Sequence, residues 1–211
     1  MDDEVVIAAM RQWIEKAVIG LNLCPFAKAV YVKNQVRYVV SHAPHLDGLL
    51  EDLDRELDFL AAADPEVVDT TLLIHPVLLP DFLDFNDFMQ LAEAAVDEHE
   101  LDGVIQIASF HPQFQFEGTA PDDIGNYTNR APFPTLHLLR ETSIERAVAA
   151  FPEAETIYER NIETLERLGI EGWQALWRKP SAGFEGSTWR SDSEGSYKII
   201  KSDSVGFGGS G

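Results

Sequence analysis

The chain has 211 residues, 45% hydrophobic, 10% aromatic and 25% charged, which is the composition of a folded domain and excludes disordered and fibrous classes. Sixteen Lys and Arg stand against 36 Asp and Glu, a formal charge of −20, and a surface that negative repels nucleic acid and anionic lipid. A single cysteine excludes an intrachain disulfide and an all-cysteine metal site, and fits a reducing compartment.

The chain opens Met1-Asp2-Asp3-Glu4, acidic where a secretory signal needs Lys or Arg, and no apolar run approaches the roughly 18 residues of a membrane span. The expectation is an acidic cytoplasmic protein with neither membrane nor nucleic-acid partners. Residues 5–19 set Val6, Ala9, Met10, Trp13 and Ala17 at spacings of three and four and predict an amphipathic helix. Pro25 favours the first turn of a second, short helix to about Val30, with Cys24 at its cap. Residues 37–40 read as a strand closed by Ser41-His42-Ala43-Pro44, and residues 46–60 as a helix with Leu46, Leu49, Leu50, Leu53, Leu57 and Leu60 on one face. Residues 70–74 are a β-branched strand stopped by His75-Pro76, and Asn86 or Asp87 is expected to cap a helix to about Glu98. A third strand covers 103–110, a fourth 135–139, Ser143 is expected to cap a short helix, and a last helix covers 152–168.

This alternation predicts a compact α/β sandwich of two or three layers over residues 1–177, with a parallel or mixed sheet of about four strands. Residues 178–211 turn to Ser, Gly and isolated charges and are expected to form a flexible tail, in which only Tyr197-Lys198-Ile199-Ile200 has strand character.

No secondary-structure pattern runs through residues 110–134, and structureless loops longer than about 12 to 15 residues are usually functional or disordered. Five aromatics make this one too apolar for disorder. It follows the carboxyl end of a strand expected to be central, where open α/β sheets place ligand crevices. The plainer alternative is a proline-pinned structural loop in which Asp122, Asn126 and Asn129 cap turns and Arg130 pairs with Asp122 or Asp123.

Three strings, Gly20-Leu21-Asn22-Leu23-Cys24-Pro25-Phe26-Ala27, Ser109-Phe110-His111-Pro112-Gln113-Phe114-Gln115-Phe116, and Ala120-Pro121-Asp122-Asp123-Ile124 with Asn126-Tyr127-Thr128-Asn129-Arg130, resemble a bacterial family of uncharacterised proteins, domain of unknown function 1415. The resemblance runs over about residues 13–177. It implies a family and transfers no catalytic residue, so the chemistry must come from the residues.

Three constellations carry chemistry. At a helix start, amides and dipole lower a thiol pKa, so Cys24 is a candidate nucleophile or redox centre, with His111 as base and Asn129 to orient it; the alternative is an inert buried thiol. Arg130 and Arg140, with Asn126 and Tyr127, are candidate contacts for a carboxylate or phosphate, because Arg grips such groups bidentately; the alternative is structural ion pairing. His75, His111 and His137 sit at or within predicted strands and have the ligand count of a catalytic zinc, but their spacing matches no metal motif and His137 between two leucines reads as a buried histidine. No phosphate loop, dinucleotide fingerprint or serine elbow occurs, so no cofactor is implied. Two functions follow: a small-molecule enzyme, thiol-dependent or acid/base, acting on an anionic substrate at the 110–134 loop, or a ligand-binding or interaction module using the same loop.

Overall fold

The computed structural model describes residues 1–151, 154–177, 187–191 and 197–201, the last two segments as backbone only. The chain divides into Met1–Leu176 and Trp177–Gly211. In the second unit, Ser187–Ser191 and Tyr197–Lys201 pair as an antiparallel hairpin. The rest of 178–211, and with it the expected flexible tail, lies outside the described residues.

The first unit begins with α1 (Asp3–Trp13), whose amino end is closed by the Asp2 carboxylate accepting from the Glu4 amide at 2.9 Å. Val6, Met10 and Trp13, at helical spacing, are buried. The helix then widens into a π-helical stretch, Ile14–Ile19, which reaches Gly20. A Cβ at Gly20 would lie 2.3 Å from the Lys16 carbonyl oxygen, so only glycine closes this turn. The short helix α2 (Ala27–Val32) follows, two residues later than Pro25 implies and with Phe26 as its cap.

Strand β1 (Val36–Val40) leads through α3 (Leu46–Ala62) to β2 (Thr70–Ile74), and β2 through α4 (Phe82–Glu98) to β3 (Ile105–Phe110). Helix α4 starts earlier than Asn86 or Asp87, because Asp81 after Pro80 already accepts from the Leu83 amide at 2.8 Å and Phe85 is packed in the core. A 3-10 turn (Ile124–Asn129), β4 (Thr135–Arg140), α5 (Glu141–Ala150) and α6 (Ile157–Leu176) complete the unit. Ser143 lies in the first turn of α5 rather than at its cap, where its hydroxyl donates to Asp69 at 2.6 Å. Helix α6 starts and ends later than the expected 152–168, and Gly169, at φ 66°, breaks it into two segments.

The sheet order is β1-β2-β4-β3, with β1 parallel to β2 and β4 antiparallel to both β2 and β3. β1, β2 and β3 therefore run the same way, and β4 returns between the last two. β3 is an edge strand, which corrects its expected central position. The fold is a mixed-sheet α/β sandwich, as the element pattern implies. α3 and α4 cover one face: Leu49, Leu53, Leu57, Leu60, Phe85 and Phe88 enclose Leu73, Ile105, Leu136 and Leu138. Each such fully buried side chain contributes about 1.5–3 kcal/mol. Side-chain alternation sends Phe110 to the opposite face, where Trp13 of α1 meets it edge-on at 5.0 Å between centroids. Arg11 of α1 stacks over Tyr38 on that same side. No helix among the described residues is long and apolar enough to cross a membrane.

Candidate functional site

The loop 110–134 leaves β3 and enters β4 at the carboxyl ends of the three co-directional strands, and its candidate side chains Asn126, Asn129 and Arg130 are turned onto backbone. Asn126 is fully buried: its Oδ1 accepts the Phe116 amide at 2.9 Å and its Nδ2 donates to the Ala120 carbonyl at 2.8 Å. Asn129 donates to the Ser109 carbonyl at 3.3 Å while its own carbonyl accepts the His111 amide at 3.2 Å, so it holds the backbone around His111 and does not orient the imidazole. Arg130 donates from Nε to the Phe114 carbonyl (3.1 Å) and from Nη2 to the Pro121 carbonyl (2.6 Å), and stacks 4.2 Å from the centre of Tyr127. Tyr127 in turn meets Trp173 of α6 edge-on at 5.2 Å. Neither Asp122 nor Asp123 pairs with Arg130 among the described residues; Asp123 accepts the Gly125 amide instead. Asn126, Asn129 and Arg130 thus spend their hydrogen bonds on the loop's own backbone.

Arg140 lies at the other end of β4, opposite Ile105, whereas Thr135 opposite Phe110 adjoins the loop. Its Nη2 donates to the carbonyls of Leu60, Ala63 and Val68, which tie down the end of α3. Arg140 is a structural tie rather than a ligand contact, because it satisfies carbonyls in the last turn of α3, at its C-cap and in the segment that leads to β2, where helical partners run out.

The histidines are equally committed. His111 is fully buried; its Nδ1 accepts the Gln113 amide at 3.0 Å, so Nε2 carries the proton and donates to the Leu79 carbonyl at 3.0 Å. No lone pair remains to take a substrate's proton. Burial lowers its pKa, against the Leu79 hydrogen bond and Asp81, which raise it. His75, 1% exposed, is bonded through Nδ1 to the Leu78 carbonyl, its Nε2 has no partner, and burial pulls its pKa down to about 4. Both rings pack on Phe85 of α4. His137 meets Thr70 Oγ1 at 2.7 Å; that hydroxyl donates to the Leu138 carbonyl, so His137 Nε2–H is the donor, and burial lowers its pKa to about 4. His137 contacts Phe110, on the α1 side. The three histidines do not converge, and among the described residues no group of His, Cys, Asp and Glu is arranged to hold a metal ion.

Cys24 is tied through its amide to the Val18 carbonyl of the π-helix that continues α1, whereas the His111 ring stacks on Phe85 of α4 with both its nitrogens bonded to backbone. The expected thiol–imidazole couple is therefore not formed. Burial raises the Cys24 pKa; the Phe26 and Ala27 amides at the sulfur pull it down without prevailing. The expected lowering is corrected on that ground: desolvation of the thiolate outweighs two amides.

A concave surface lies elsewhere in the first unit. A groove of about 500 Å³ opens between the 20–25 segment and the first part of α6. One wall is Gly20, Leu21, Asn22 and Pro25, where Asn22 adopts the left-handed conformation at φ 55° and Asn161 Nδ2 grips the Leu23 carbonyl at 2.8 Å. The other is a polar stripe of α6, Arg160, Glu163, Thr164 and Arg167, with Phe151 and Ile157 supplying apolar surface. The loop's part is to seat α6: Phe116 meets Tyr158 edge-on at 5.8 Å, and Tyr127 meets Trp173. The 20–27 string points to one wall, but the α6 stripe escapes sequence reading because charged and polar residues at i, i+3, i+4 and i+7 look like any solvated helix face.

Fold and site define an α/β-sandwich protein with an arginine-bearing groove walled by a π-helix terminus. The chain belongs to the family described as protein of unknown function (DUF1415), whose model matches residues 5–175. Searches of curated proteins and of solved structures find no match.

Proposed function

We propose that the protein binds a small anionic molecule, a carboxylate or phosphate ester, in the groove between residues 20–25 and α6, as a small-molecule enzyme or binding protein. The observation that carries this reading is the pair Arg160 and Arg167 in one concavity of a chain with 16 basic against 36 acidic residues. The surrounding field repels anions, so a local attraction is selective for ligands small enough to enter. The volume is that of a metabolite site, and the wall is built from a π-helical end, a left-handed Asn22 and a glycine that tolerates no side chain, features that recur where backbone is shaped for function. This places the ligand beside Cys24 rather than at the 110–134 loop. With its pKa raised, Cys24 is mainly protonated at neutral pH, and acid/base or binding chemistry is favoured over a thiolate nucleophile.

Thermal unfolding of the full chain against a panel of small carboxylates and phosphate esters tests the reading. Stabilisation of the parent by one or more of them, lost in Arg167→Ala, is the expected result. A midpoint unmoved by every compound overturns it.

A further inference from the structure

Arg160 and Arg167 lie seven residues apart on the unbroken first segment of α6, almost in line, which separates their Cα atoms by about 10 Å along the axis. That exceeds the span of a single carboxylate or phosphate and suits two anionic groups on one elongated molecule. Between them Glu163 faces the same groove, three residues after Arg160 and four before Arg167. A carboxylate in the middle of a surface selected for anions alone would repel its ligand; facing a cationic or hydrogen-bond-donating centre, it attracts one. Thr164 beside it adds a hydroxyl, and Leu21 and Pro25 on the opposite wall offer apolar surface to a carbon chain.

Resting on the groove reading above, we propose that the ligand carries an anionic group at each end, held by Arg160 and Arg167, and an amine between them, held by Glu163. The chemical class is the amino diacid: two carboxylates, or a carboxylate and a phosphate, on a short chain bearing an ammonium group. The polarity order along α6, positive, negative, positive, is the complement of that molecule and of neither a simple phosphate nor a fatty acid.

Calorimetric titration of the full chain with straight-chain monocarboxylates, diacids of increasing length, and the same diacids carrying an amino group decides the matter. Diacids of matching length are expected to bind about tenfold more tightly than monocarboxylates, one charge-assisted pair's worth, and amino diacids more tightly again. Arg160→Gln and Arg167→Gln should each weaken diacids by roughly that tenfold, so that the advantage of a diacid over a monocarboxylate is lost, and Glu163→Gln should erase the preference for an amino diacid over the plain diacid of the same length. All three side chains are solvent-exposed, and the unfolding midpoint of each variant, measured beside the titration, separates a loss of ligand contact from a loss of fold. Equal affinity for mono- and diacids, or an amine preference that survives Glu163→Gln, overturns the amino-diacid assignment while the anion groove stands. No carboxylate or phosphate binding at all overturns both.

Discussion

The 110–134 loop and the 20–25/α6 groove are both rich in polar side chains, and they differ in where those side chains point. In the loop, Asn126, Asn129 and Arg130 bond carbonyls and amides of residues 109–121, and the histidine at its start has both ring nitrogens engaged. In the groove, Arg160, Glu163 and Arg167 stay solvent-exposed around an open volume. A long loop must satisfy its backbone without a ladder, and Asn and Arg are the side chains best equipped to do it. Unusual polar chemistry in a loop is therefore first a sign of backbone bookkeeping; concavity is what distinguishes a site.

Acid should separate the regions most sharply. The folded His75 and His137 stay neutral down to about pH 4, whereas in the unfolded chain they protonate near 6.5, the ordinary value for histidine. The unfolded state thus binds more protons between those values, and stability present above pH 6.5 is lost as pH falls toward 4. Denaturant unfolding should show a loss of about 4 kcal/mol between pH 7 and 5 from the pair, with His111 adding in the same direction. A flat profile over that window contradicts the neutral, buried assignment.

Asn126→Ala comes next. It strands the Phe116 amide and the Ala120 carbonyl inside the loop and should cost about 3 kcal/mol, read as a drop in the unfolding midpoint. A cost within about 0.5 kcal/mol would mean that the loop is not held by its own polar groups.

Gly20→Ala tests the other wall. Its Cβ meets backbone rather than a movable side chain, so the π-helical end must shift, at about 1–3 kcal/mol, and ligand affinity should fall with it. An alanine accepted with no change in midpoint or binding would show that the glycine is incidental.

Arg130→Ala and Arg167→Ala make the closing pair. Removing Arg130 forfeits two carbonyl contacts and the stack on Tyr127 at a partly exposed site, about 1–2 kcal/mol, with groove binding retained once the variant is folded. Removing Arg167 should leave stability within about 0.5 kcal/mol and weaken the anion roughly tenfold or more. The reverse outcome, binding lost with Arg130 and kept without Arg167, would return the site to the loop.

Much of the local structure was legible. Leu49, Leu53, Leu57 and Leu60 recur at the helical period and are all buried in α3, and Thr70 to Ile74 is a strand at the expected bounds. The α4 start was misplaced because four cap-capable residues, Asp81, Asp84, Asn86 and Asp87, occur in one stretch and sequence cannot rank them; burial of Phe85 and Phe88 does. Of the site, only the 20–25 wall was legible, through a string odd enough to stand out. The α6 wall was not, since an exposed Arg-Glu-Thr-Arg stripe carries no sign of what faces it.

Composition and periodicity alone determined that this is an acidic, folded α/β chain with alternating strands and helices, because both report how each segment partitions between water and a core. Tertiary structure decided that β4 threads between β2 and β3, which puts β3 at an edge. It also decided that Cys24 is held by the π-helix after α1 while His111 packs on α4, and that α6 meets the 20–25 segment across a groove. Those outcomes depend on which distant segments meet, and side-chain period within a segment carries no information about its partner.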